Sequence, residues 1–75
     1  MKILSWNIAR GSKHMAEIQD LIITEKADIA FLHETDNDEE NLKSIKINGY
    51  ETVVGKPGEH DEKVRMMAFI KKFSF

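Results

Sequence analysis

The sequence predicts a mixed α/β domain in which a βαβ unit is followed by an antiparallel strand pair. Three observations predict it. Two short apolar runs, Ile3–Ile8 and Ile29–Leu32, are rich in strand formers and flank a stretch with helical spacing. Two later runs, Tyr50–Val54 and Val64–Ile70, are joined by a loop rich in turn residues. The chain has 75 residues, room for one small domain.

The first run, Ile3–Ile8, is stopped by a turn at Arg10-Gly11. Ser12 can then cap a helix that extends to about Lys26. Within it Met15, Ile18, Leu21 and Ile22 recur on one side, and Lys13, Glu17, Asp20 and Glu25 on the other. Ile29–Leu32 is the second strand, ended by His33-Glu34-Thr35. A strand, a helix and a strand in so little chain read as a right-handed βαβ unit with parallel strands. Both strands are apolar on both faces, which predicts a sheet covered on each side.

The acidic run Asp36–Glu40 suits the start of a short helix through Lys43 or Ile45, where carboxylates meet the positive end of the helix dipole. Asn48-Gly49 signals a turn before the strand pair. The last strand places Phe69, Lys71, Phe73 and Phe75 on one face. Three rings there need cover, so the expectation is a truncated domain or an oligomer that covers this strand.

Composition narrows the function classes. There is no cysteine, which excludes disulfides and thiolate zinc sites and fits a reducing compartment. The net charge of −2 lacks the basic excess of a dedicated nucleic-acid binder. No apolar run approaches a membrane span, and the start does not resemble a signal peptide. The expectation is an intracellular soluble protein, cytoplasmic or nuclear.

Open α/β sheets bind ligands at the carboxyl ends of their parallel strands, so the polar residues closing the first two strands are the candidates. These are Asn7 and Glu34. Neighbouring strands lie roughly 5 Å apart, close enough for an amide and a carboxylate to share one site. Magnesium takes oxygen ligands of this kind together with water and substrate phosphate. Asparagine can also donate to a phosphate oxygen.

Ser5-Trp6-Asn7-Ile8, a helix, Ala27-Asp28-Ile29 and then Leu32-His33-Glu34-Thr35 together resemble the opening of the endonuclease/exonuclease/phosphatase superfamily, the deoxyribonuclease I-like enzymes. Within it, Lys2–Gly11 and Arg65–Lys71 are most similar to endonuclease domains of non-long-terminal-repeat retrotransposons. The resemblance covers nearly the whole chain but only about the first third of a family domain. It implies an α/β sandwich, a Mg2+ or Mn2+ cofactor and a phosphodiester substrate such as DNA. It also implies that Asn7 belongs to the catalytic centre and that Glu34 ligates the metal. Arg10, just past the first strand, is the candidate substrate contact, set against the plainer reading of a surface arginine. The residues that activate water lie further along a family domain, so this chain alone is expected not to nick DNA.

One position departs from the family pattern. Glutamine usually precedes the metal glutamate; here it is His33, whose imidazole would weaken metal binding if cationic and is otherwise read as structural. Trp6 reads as core. Asp36–Glu40 lacks the glycine and distal glutamate of an EF-hand, and Gly55–Gly58 lacks P-loop spacing. His60, Lys56 and Arg65 read as surface. The rival to the hydrolase reading is a non-catalytic α/β binding or remnant module. A further alternative keeps the superfamily but replaces DNA with a phospholipid or inositol phosphate.

Overall fold

A computed structural model describes residues 1–8, 15–58 and 63–72. The elements in chain order are β1 (Ile3–Asn7), α1 (Met15–Thr24), β2 (Ile29–Asp38), α2 (Glu39–Lys43), β3 (Tyr50–Val54) and β4 (Lys63–Lys71). The four strands form one sheet in the order β1-β2-β4-β3. β1 runs parallel to β2, with Ile3 opposite Ile29 and Asn7 opposite His33. β4 is antiparallel to both β2 and β3. The chain is therefore a mixed α/β fold in which β4 joins the predicted βαβ unit to the predicted antiparallel pair.

α1 contributes Met15 and Ile22 to the core, with Ile18 packed against them. Its end is set by the backbone. Lys26 adopts a left-handed φ of 53°. The Lys26 and Ala27 amides donate to the Ile23 and Ile22 carbonyls at 3.1 and 3.2 Å. This is a Schellman stop built without glycine, so the sequence carried no sign of it. The Ser12 cap lies outside the described residues.

Register sorts the strand residues onto two faces. Ala30 pairs with Phe69 and Leu32 with Met67, and all four are buried beneath the helices. On the opposite face, Ile3, Ile29, Ile70 and Glu51 form one row across the sheet. Ser5, Phe31, Ala68 and Val53 form the next, and Asn7, His33 and Met66 a third. α2 seats the fully buried Leu42 in the same core as α1. The Tyr50 hydroxyl donates to the Ala27 carbonyl and ties β3 to the end of α1.

Three expectations change. β2 runs on to Asp38 instead of ending at Leu32, because Asn37 and Asp38 pair with Val64 and Lys63 of β4. That ladder occupies the backbone of the acidic run, so α2 begins at Glu39 and not at Asp36. Among the described residues the helices cover one sheet face, and the other keeps exposed apolar side chains. Phe69, one of the rings expected to need cover, is fully buried. Phe73 and Phe75 lie outside the described residues. No helix among those described is long and apolar enough to cross a membrane.

Candidate polar site where the parallel pairing of β1 and β2 ends

Asn7 closes β1 as an exposed residue, directly opposite His33 in the parallel register. The ladder continues one residue further, where the Ile8 amide donates to the His33 carbonyl at 3.0 Å. Ser5, two residues before Asn7, lies on the same face by alternation. Its hydroxyl is hydrogen-bonded to His33 Nε2 at 3.1 Å. Ser5, Asn7 and His33 thus form a polar corner on a largely apolar face.

Glu34 reaches this end of the sheet by a different route. In a flat strand it would alternate onto the core face with Leu32, away from Asn7 and His33. Instead the β2–β4 register shifts between His33 and Asn37, and Glu34 takes a left-handed φ of 58°. Leu32 is fully buried, His33 half-buried, Glu34 exposed and Thr35 buried again. Two residues now separate the core-facing positions where regular pleating allows one, the mark of a β-bulge. Thr35 Oγ1 donates to the Val64 carbonyl at 2.7 Å, filling the core position that Glu34 vacates.

Of the residues singled out in the sequence, Asn7 is therefore aligned with His33, and Glu34 follows on the adjoining bulge. Arg10 lies outside the described residues. Trp6 is partly buried against the core. His33, read as structural, is half-buried and bonded to Ser5. The sequence reading missed Ser5. Its signal was the two-residue spacing from Asn7, which places both on one face of a strand.

Among the described residues no group of three or more histidines and carboxylates gathers as a metal site would require. The donors at this end of the sheet are one carboxylate, Glu34, and the amide of Asn7. That set suits a hard cation that keeps most of its water, as magnesium does, better than one needing an all-protein cage. A second polar feature, a depression of 440 Å³ bordered by Asp38, Glu39, Glu40 and Asn41, lies at the start of α2. There Asn37 Oδ1 accepts from the Asp38 amide and from Asn41 Nδ2, so the acidic turn is organised locally.

No protein-family model matches this chain, and no curated protein is significantly similar to it. The fold and the corner define a small mixed-sheet α/β protein with a polar patch where the parallel pairing of β1 and β2 ends.

Proposed function

We propose that the chain is the opening segment of a divalent-metal-dependent phosphodiesterase of the endonuclease/exonuclease/phosphatase type, most simply an endonuclease acting on DNA. The observation that supports it is the position of Asn7 and Glu34: Asn7 closes β1, and Glu34 lies on β2 just past the last parallel pair, Asn7–His33, at the end of the parallel pairing where open α/β sheets take their ligands. In this reading Glu34 holds Mg2+ or Mn2+, and the Asn7 amide donates to a non-bridging phosphate oxygen. When bound, such a metal neutralises phosphate charge and stabilises the leaving oxygen. Exposure of Glu34 and Asn7 keeps both open to a large polyanion. His33, hydrogen-bonded to Ser5, lies directly opposite Asn7 in the register.

The test is a magnesium and manganese titration followed by thermal unfolding. Wild type should melt at a higher temperature as metal is added, and Glu34→Gln should not. No shift in either protein would favour a non-catalytic α/β module. One observation supports that second reading: among the described residues no group of three or more histidines and carboxylates gathers around Glu34 or elsewhere. DNA nicking by this chain alone is expected to be absent.

A further inference from the structure

We propose that Thr35 is a positioning residue: anchored in the core by its hydroxyl, it holds the β2 bulge that turns Glu34 off the core face. The metal-binding part of this idea rests on the reading above; the positioning part does not.

A residue with a Cβ occupies the left-handed region at a cost, and persists there only where its surroundings over-determine it. The described residues contain two such cases outside glycine, Lys26 and Glu34. At Lys26 the cause is complete in the chain itself, since the amides of residues 26 and 27 close the end of α1. Glu34 ends no helix. Its conformation is imposed from both sides by pairing with β4: His33 opposite Met66 before it, and Asn37 opposite Val64 after it. Between these clamps, Thr35 is 1% exposed and its hydroxyl bonds to the Val64 carbonyl. Both contacts of the far clamp thus converge on Val64, itself fully buried.

Release of Thr35 would let β2 straighten, and regular pleating would send the Glu34 carboxylate toward Leu32 and the core. Glycine at position 34 would adopt the same backbone without strain. What glycine would lack is the carboxylate. A strained glutamate held by a buried threonine is the pattern expected where a side chain has to be presented at a fixed place.

The experiment compares Glu34→Gly, Glu34→Ala, Lys26→Gly, Thr35→Val and Thr35→Ser in the whole chain. Its readouts are the melting temperature with and without manganese chloride and the intraresidue amide–Hα NOE of residue 34, which is strong in the left-handed region. Glu34→Gly and Lys26→Gly should each raise the melting temperature by about 4 °C. Glu34→Ala should melt below Glu34→Gly. Manganese should still shift Lys26→Gly but not Glu34→Gly. Thr35→Val, close in volume but without the hydroxyl, should lose the strong NOE at residue 34 and the manganese shift, and Thr35→Ser should keep both. A strong NOE retained in Thr35→Val, or Glu34→Ala melting above Glu34→Gly, would overturn the proposal. If Thr35→Val does not fold, the comparison of Gly with Ala at position 34 and the NOE in Thr35→Ser still decide it. Absence of a manganese shift in wild type with the NOE results as expected would sink the metal reading and leave the positioning role standing.

Discussion

On the helix-covered face of the sheet Ala30, Leu32 and Phe69 have no solvent exposure, whereas Ile3, Phe31, Val53 and Met66 on the other face are exposed by 55%, 37%, 43% and 48%. β2 and β4 supply residues to both sets, and both sets are apolar. The difference lies in what packs over them. α1 and α2 bring Met15, Ile22 and Leu42 onto one face, and no described element covers the other. Hydrophobic stabilisation follows the apolar area removed from water, so identical residue types contribute very differently on the two sides. The apolar pattern of a strand tells which residues can be buried; the layer above decides which are.

The largest effect should come from the covered face. Phe69→Ala is expected to cost about 3–5 kcal/mol, through lost transfer energy and the cavity left behind. That is enough to unfold most of a domain this small at room temperature. Phe31→Ala, on the open face, should cost about 1 kcal/mol or less. Urea unfolding of the two variants measures the contrast. Equal losses would mean that the open face is covered in solution, for instance by a second copy of the chain.

A smaller effect tests how the core binds β3. Removing the hydroxyl in Tyr50→Phe should cost about 1 kcal/mol, since the Ala27 carbonyl loses its donor. Burial, and then the nearby Asp28 carboxylate, raises the Tyr50 pKa above its ordinary 10.0. The folded protein therefore holds the phenol proton to higher pH than the unfolded chain does. Above pH 10 the unfolded state ionises first, and stability falls as pH rises. Tyr50→Phe should show a shallower alkaline decline than wild type in melting temperatures taken from neutral pH upward.

The smallest effect belongs to the surface. Lys43 Nζ lies 2.7 Å from Glu39 Oε1 on α2, and both side chains are largely exposed. Glu39→Gln should cost about 0.3–0.5 kcal/mol at low salt, and the loss should fade as salt is added. A loss comparable with that at Phe69 would contradict the account of the covered face as the seat of stability.

Much of the frame was legible in the residues. Tyr50–Val54 forms the predicted strand residue for residue, and the βαβ unit and antiparallel pair follow from apolar runs and their spacing. These are local signals, carried by propensity and period. The long β2 was not legible. Asp36–Glu40 has the composition of a helix start, and only pairing with Val64 and Lys63, far along the chain, draws Asn37 and Asp38 into the sheet. The candidate site divides in the same way. Asn7 and Glu34 stand out as polar strand ends, but their relation depends on a bulge at a residue that is not glycine. Ser5 and His33 meet only once β1 and β2 have their register.

Alone, the sequence determined the element types, their order and the polar residue that closes β1, because these follow from neighbours along the chain. Tertiary structure decided which sheet face is covered, that Asn7 lies opposite His33 and that Glu34 leaves the core face. Those outcomes depend on the register between strands distant in sequence, and one residue of slip exchanges every inward side chain for an outward one.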